Sequence, residues 1–273
     1  MSRLGAVSLL SLGLVVAASV APATASPGAT PKGSAGGSYV AIGDSFTAGQ
    51  GAAPYLPGLC LQSQFASYPA ITAGSSSYRE ALNFACSGAD TTATIAQLAA
   101  IDPRTKLKAS LVTITVGGID AGSNQVLQAC APDPASALCA FAVGAASANL
   151  PNVGLALVST YSTVAAAFPK ARIVVLNYPR LFDPNFGQLA STMNAATDGL
   201  NAAIAGAVTA TDNPRVSLTD VTQEFEGHGI GSIDGSYISF NGPFDPASFH
   251  PNALGNTAGY SAALRTDGAV RGR

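Results

Sequence analysis

The sequence has little charge, no tryptophan, only two histidines and four cysteines among its 273 residues. Charged residues make up 10% of the chain and the formal net charge is −2, with no cluster of Lys or Arg. A protein that binds a phosphate backbone needs such a cluster, so we expect no nucleic-acid partner. The 48% hydrophobic content excludes intrinsic disorder. The length fits one large domain with a full core.

The first 25 residues have the pattern of a secretory signal peptide. Arg3 gives a basic start, Leu4–Val20 is apolar, and Ala23-Thr24-Ala25 is a small-x-small cleavage site. The alternative is a membrane anchor, but the apolar stretch is short for a bilayer and leads directly into Pro22. We therefore expect a secreted, extracellular protein without a stable membrane anchor.

The rest of the chain divides into a leader and one domain. Residues 26–37 are rich in Gly, Ser and Pro and are expected to be a flexible leader. The domain is expected over residues 38–273.

Short apolar runs alternate with segments of helical period in this domain. The predicted buried strands are Tyr39–Ile42, Leu111–Val116, Ile173–Leu176 and Val216–Leu218. The predicted helices carry apolar residues at spacings of three and four, which are Leu157, Tyr161, Val164 and Phe168 in one and Leu189, Met193, Leu200, Ile204 and Val208 in the other. Pro151 is expected in the first turn of the earlier helix, and Pro169 is expected to end it. The alternation predicts a single α/β domain with a mainly parallel sheet.

Four cysteines in an exported chain indicate two disulfide bonds, with three possible pairings. Cys130 and Cys139 bracket a proline-containing loop, so we pair them, which leaves Cys60 with Cys86. There is no Cys-x-x-Cys and the two histidines are far apart, so we expect no metal site.

A candidate nucleophile follows the first strand. In Gly43-Asp44-Ser45 the glycine allows a sharp turn, and Ser45 then begins a helix at the edge of the sheet, where ligands of parallel sheets bind. The alternative is that Ser45 only caps this helix. A serine nucleophile needs a base, and the chain offers only His228 and His250. The residues alone do not decide between the two histidines.

These residues resemble the conserved blocks of a known family. From about Tyr39 to about Ala262 the chain is similar to the secreted actinobacterial SGNH (GDSL) hydrolases, which are serine esterases and lipases. The matching segments are Gly43-Asp44-Ser45, Cys86-Ser87-Gly88-Ala89, Val116-Gly117-Gly118-Ile119-Asp120 and Ser248-Phe249-His250-Pro251-Asn252. The resemblance implies a three-layer α/β/α sandwich with a flavodoxin-like sheet of about five strands. It also implies Ser45 as the nucleophile, His250 rather than His228 as the base, and the backbone N–H groups of Ser45 and Gly88 as oxyanion donors.

Two positions depart from the family pattern. The third block normally has an Asn that donates to the oxyanion, but Ile119 stands there and has no donor. The loss of such a donor typically costs about 100- to 1,000-fold in turnover. The acidic residue three positions before the histidine is replaced by Ala247, which leaves Asp245 as the nearest carboxylate. Some relatives use a backbone carbonyl in its place.

The sequence thus predicts a secreted serine ester hydrolase that cleaves lipid or small acyl esters through an acyl-enzyme on Ser45. No cofactor or metal is required, and we expect a monomer. The alternative is a catalytically degenerate relative that binds lipid or carbohydrate, for which Ile119 is the main argument.

Overall fold

The computed structural model describes residues 37–78 and 80–271. The signal peptide expected over residues 1–25 and all but the last residue of the expected leader lie outside the described residues. The boundaries of these segments and of the domain therefore stay predictions.

A parallel sheet of five strands lies at the centre of the fold. The strands are β1 (Ser38–Gly43), β2 (Ala81–Asn83), β3 (Ala109–Thr115), β4 (Arg172–Leu176) and β5 (Val216–Thr219). Their order across the sheet is β2-β1-β3-β4-β5, and each neighbouring pair is parallel. The mainly parallel sheet and the four strands expected from apolar runs are confirmed.

Helices cover both faces of this sheet. They are α1 (Ser45–Ala48), α2 (Tyr68–Gly74), α3 (Thr91–Gln97), α4 (Pro103–Lys108), α5 (Ser123–Cys130), α6 (Ala137–Ala167), α7 (Gln188–Ala210) and α8 (Ser261–Thr266), with a 3-10 turn at Leu98–Ala100 and a π-helix at Gly255–Tyr260. In one layer α6 contacts α3, α5 and α7, and in the other α2 contacts α8 and the π-helix. The α/β/α architecture expected from the sequence is therefore confirmed.

The path of the chain through the sheet creates a binding edge between β1 and β3. From β1 the chain passes outward to the edge strand β2 and then returns to the other side of β1, where it forms β3. The two strands end together, because Gly43 is paired with Thr115. In open parallel sheets this reversal leaves a crevice beyond the carboxyl ends of the strands. The segments that follow β1 and β3 therefore face one crevice.

The helix α6 begins earlier than the sequence pattern indicates. Pro151, expected in the first turn, lies inside the helix, so this expectation was wrong. The helix starts at Ala137, where the side chain of Ser136 accepts a hydrogen bond from the Cys139 N–H. Pro151 has no backbone N–H, so the carbonyl of Ser147, four residues earlier, loses its helical hydrogen-bond partner. Ser147 and Pro151 are both exposed, so water can bond to this carbonyl instead.

The same helix has an unusually apolar composition. None of its 31 residues is charged, and by length and composition alone it is apolar enough to cross a membrane. Leu157, Tyr161 and Val164 are buried as predicted, and the helix ends before Pro169. The outer face leaves Leu138 and Phe141 largely exposed.

Two disulfide bonds join Cys60 to Cys86 and Cys130 to Cys139, the pairing that the sequence analysis favoured. Cys130 is the last residue of α5 and Cys139 lies in the first turn of α6, so the second bond ties these helices together.

Candidate active site

Ser45 is the first residue of α1 and is held in a tight turn at the end of β1. Gly43 has φ +133°, and a Cβ there would lie 2.3 Å from the Thr115 carbonyl oxygen, so the turn requires glycine. The carboxylate of Asp44 accepts a hydrogen bond of 2.9 Å from the Phe46 N–H and caps the helix. Ser45 therefore has a fixed backbone and is only 9% exposed.

His250 contacts Ser45 across 205 residues of sequence. The Nε2 atom lies 2.8 Å from Ser45 Oγ, and Nδ1 lies 2.8 Å from the Ser248 carbonyl oxygen. Because a carbonyl can only accept, Nδ1 carries the proton in the neutral ring, and Nε2 is left to accept the serine proton.

A small antiparallel pair of strands positions this histidine. The strand β6 (Ile238–Ser239) pairs with β7 (His250–Pro251), so that Ser239 is opposite His250. The backbone at Gly51 also packs closely against His250, because a Cβ at Gly51 would lie 2.9 Å from His250 Cβ.

Burial keeps His250 in its neutral form. Desolvation lowers the pKa of His250 from 6.5 to about 4, and the hydrogen bond to the Ser248 carbonyl only partly opposes this. Above about pH 4 the imidazole of His250 is therefore mostly neutral, so that it can accept a proton.

Asp245, the possible orienting carboxylate that the sequence left open, is not the group bonded to Nδ1 of this histidine. Its Oδ1 atom accepts a hydrogen bond of 2.7 Å from the Ala247 N–H, closing a local turn. The imidazole is instead held by the backbone carbonyl of Ser248, which was the alternative left open for a chain with Ala247 in place of the family carboxylate.

The other histidine lies in a different environment. His228 Nδ1 is 3.0 Å from the Gly235 carbonyl oxygen, and the ring stacks on Tyr237 with 3.8 Å between centroids. These contacts tie together a surface loop and do not involve Ser45.

Gly88 is brought to the nucleophile turn by its neighbours. The Cys86 N–H donates to the Gly43 carbonyl oxygen at 3.0 Å, which joins the Gly88 loop to the end of β1. The disulfide from Cys86 to Cys60 also holds this loop. Within the described part of the chain, the N–H groups of Ser45 and Gly88 have no protein acceptor. Both are therefore available to a ligand.

Ile119 occupies the position where the family pattern has an amide. It is half-buried and lines the cavity beside Ser45, so no side-chain donor comes from this position. The following residue, Asp120, accepts hydrogen bonds from the backbone and hydroxyl of Thr91 at the start of α3. Asp120 thus has a structural role at the start of α3.

The sequence reasoning missed a buried hydrogen-bond chain under the nucleophile. The Tyr178 hydroxyl donates to Asp44 Oδ2 at 2.5 Å and accepts from the Gly118 N–H at 3.0 Å. Burial raises the pKa of Asp44 to about 7, although the hydrogen bonds from Tyr178 and the Phe46 backbone lower it. Tyr178 thus connects the turn after β1 with the turn after β3. The signal in the sequence was its position just beyond β4, at the edge where sites form.

Ser45 and His250 open into a cavity of about 900 Å³. The wall is mostly apolar and is built by α5, α6 and α7, and Asp44 and Asp245 are its only charged side chains among the described residues. Phe244 lines this cavity and is 97% exposed, so it marks the opening to solvent. The arrangement combines a hydrogen-bonded serine and imidazole with room for an apolar group.

Comparisons with known proteins agree with this arrangement. Residues 41–258 match the GDSL-like lipase/acylhydrolase family. A lipase of Streptomyces rimosus is 34% identical over 239 residues, covering 84% of this chain and 85% of the relative.

Two crystal structures have the same fold. The extracellular lipase of Streptomyces rimosus has a TM-score of 0.74 at 29% identity, and phospholipase A1 of Streptomyces albidoflavus NA297 has a TM-score of 0.74 at 32% identity. Each comparison covers 85% of this chain and 99% of the solved chain. The resemblance noted in the sequence is thus confirmed, and the chain belongs to the GDSL-like lipase/acylhydrolase family of carboxylic ester hydrolases.

Proposed function

We propose that this chain is a secreted enzyme that hydrolyses lipid acyl esters through an acyl-enzyme on Ser45. The observation that carries the proposal is the 2.8 Å hydrogen bond between Ser45 Oγ and His250 Nε2, with Nδ1 fixed by the Ser248 carbonyl. A nucleophile within hydrogen-bond reach of an oriented base is the arrangement that covalent acyl transfer requires.

The reaction proceeds in two halves. His250 Nε2 takes the Ser45 proton while Oγ attacks the ester carbonyl, and the imidazolium then gives this proton to the departing alkoxide. The alcohol leaves and the acyl group remains on Ser45. His250 next removes a proton from water, the hydroxide attacks the acyl carbonyl, and the proton returns to Oγ as the acid departs.

The negative charge of each tetrahedral intermediate is held by backbone groups. The N–H groups of Ser45 and Gly88 have no protein acceptor and lie on segments joined through Gly43. Donors fixed before the reaction stabilise the developing charge without reorganisation. Ile119 supplies no third donor, so we expect turnover below that of relatives with an amide at this position.

Secretion and the class of substrate have separate support. Disulfides persist in oxidising compartments, and both cysteine pairs of this chain are bonded. One similar structure is described as an extracellular lipase and another as a phospholipase A1. The apolar cavity suits the acyl part of such substrates.

The test uses one serine variant, two histidine variants and a serine-directed probe. Ser45→Ala and His250→Ala should each lower kcat/KM for a short acyl ester by about 10⁴-fold or more, because nucleophile and base act as a unit. The matched control His228→Ala should retain nearly all activity in the folded fraction. An alkylphosphonate should label Ser45 in the unmodified enzyme. Equal rates for Ser45→Ala and the unmodified enzyme would overturn the proposed mechanism.

A further inference from the structure

Gln50 lies just after the helix that begins with Ser45 and is buried behind the proposed site. Its backbone N–H donates a hydrogen bond of 3.0 Å to the carbonyl oxygen of Ser45. Gln50 is only 6% exposed, and it is not among the residues that line the cavity. The residue therefore contacts the backbone of the nucleophile without facing a substrate bound in the cavity.

The side-chain amide of Gln50 joins two further segments of the site. Its Oε1 atom accepts a hydrogen bond of 2.5 Å from the Ser87 hydroxyl, and its Nε2 atom donates to the Pro246 carbonyl oxygen. Ser87 directly precedes Gly88, whose N–H is one of the proposed oxyanion donors. Pro246 comes four residues before His250, the proposed base. One amide thus connects the segment of the oxyanion donor with the segment of the base.

The loop of residues 241–248 has few other polar links to the rest of the protein. Within the described part of the chain, its hydrogen bonds run inside the loop or to His250, with one exception. The exception is the bond from Gln50 to Pro246. The same loop supplies the Ser248 carbonyl that holds His250 Nδ1. Gln50 is therefore the polar anchor of the loop that orients the imidazole.

We propose that Gln50 is a positioning residue that holds the oxyanion donor Gly88 and the base His250 in place for catalysis. This inference rests on the proposed function, because it assigns Gln50 a role in the same reaction. An amide suits the position because one of its atoms accepts from a hydroxyl while the other donates to a carbonyl. A displacement of the reacting groups by about 1 Å can cost about 100-fold in rate.

The first test compares Gln50→Ala with the matched control Gln62→Ala. Gln62 is a half-buried amide that also makes two hydrogen bonds, to the carbonyl oxygens of Asn83 and Ala85, and none to the 241–248 loop. We expect Gln50→Ala to lower kcat for p-nitrophenyl butyrate by about 10- to 100-fold and to change KM less than about twofold.

The control separates positioning from the general loss of a buried amide. Gln62→Ala should lower the midpoint of thermal unfolding about as much as Gln50→Ala, because each change removes two hydrogen bonds to buried or half-buried groups. Its kcat should stay within about threefold of the unmodified enzyme. Equal losses of kcat in the two variants, or an unchanged kcat in Gln50→Ala, would overturn the inference.

An isosteric variant covers the case in which Gln50→Ala does not fold. In Gln50→Glu, a protonated carboxyl can still donate to the Pro246 carbonyl and accept from Ser87, whereas the ionised carboxylate has no proton to donate. Burial raises the pKa of a carboxyl above its usual value of about 4.3. The kcat of Gln50→Glu, divided by that of the unmodified enzyme, should therefore rise by about fivefold or more from pH 8 to pH 5. A ratio that does not change with pH would overturn the inference.

The ratio also removes the titration of neighbouring groups from the comparison. The titratable side chains on residues 44–51, 86–90 and 241–250, the three segments around Gln50, are present in both proteins: Asp44, Asp90, Asp245 and His250. A purely structural loss lowers the ratio equally at every pH, so the rise at low pH is specific to the hydrogen bonds of the side chain at position 50.

The outcomes separate this inference from the proposed function. If the unmodified enzyme cleaves the ester and Ser45→Ala does not, but the Gln50 variants keep the kcat of the unmodified enzyme, the positioning role is wrong and the mechanism stands. If Ser45→Ala is as active as the unmodified enzyme, the proposed function itself fails.

Discussion

Replacing Asp44 with Asn tests the effect of a buried carboxyl next to the nucleophile. Asp44 is 2% exposed, and burial raises its pKa from 3.8 to about 7. The native state therefore keeps the Asp44 carboxyl proton at pH values where the unfolded chain has lost it. The contribution of the protonated Asp44 to the free energy of unfolding is complete below about pH 4 and is lost as the pH rises through 7. The difference between 3.8 and about 7 corresponds to about 4 kcal/mol.

Asparagine resembles the neutral form of this carboxyl and is an equally good helix cap. We therefore expect the free energy of unfolding of Asp44→Asn, relative to the unmodified protein, to rise by up to about 4 kcal/mol between pH 4 and pH 8. Contributions from other groups, including His250, cancel in this comparison.

The measurement is urea denaturation of both proteins at several pH values, with Asp234→Asn as an exposed control. A difference between Asp44→Asn and the unmodified protein that stays within about 1 kcal/mol across this range would refute the reasoning, since it would mean that Asp44 titrates alike in both states.

Three further predictions concern the rate. The pKa of His250 is lowered to about 4, so kcat/KM of the Asp44→Asn variant, in which the neighbouring group with a pKa of about 7 no longer titrates, should stay constant down to about pH 5 and fall only near pH 4, as a pH-rate profile will show. A fall near pH 6.5 in this variant would contradict the burial argument. Ile119→Asn should raise kcat by about tenfold or more by restoring a donor to the oxyanion, and an unchanged kcat would show that the two backbone groups suffice. Gly51→Ala should lower kcat with little effect on the binding of a short alkyl inhibitor, because φ is +98° and a Cβ would lie 2.6 Å from the Pro251 carbonyl oxygen and displace His250.

The central strands were predictable because burial on both faces gives them a continuous apolar run. All residues of β3 are buried, and four of the five residues of β4 are buried. The edge strand β2 was missed because it has only three half-buried residues, Ala81–Asn83, without a β-branched side chain. The early start of α6 was missed because the stretch before Pro151 is rich in alanine and other small residues, which gives no clear helical period.

Site residues within a recognisable local pattern could be predicted from the sequence. Roles that depend on contacts between distant residues could not. The turn at Ser45 and the loop at His250 have recognisable local sequences. The partner of His250 Nδ1 was not decided, because a backbone carbonyl such as that of Ser248 leaves no trace in residue type. Tyr178 was missed because its role depends on a contact with Asp44 that is 134 residues away.

The disulfide bond between Cys60 and Cys86 makes the proposed catalytic site sensitive to the redox conditions in which the chain folds. Gly88 lies two residues beyond Cys86, so this crosslink anchors one of the two backbone groups that we propose to hold the oxyanion. Reducing conditions in the cytosol prevent such a crosslink from forming. We therefore expect the chain with this bond reduced to be a poorer catalyst than the oxidised chain.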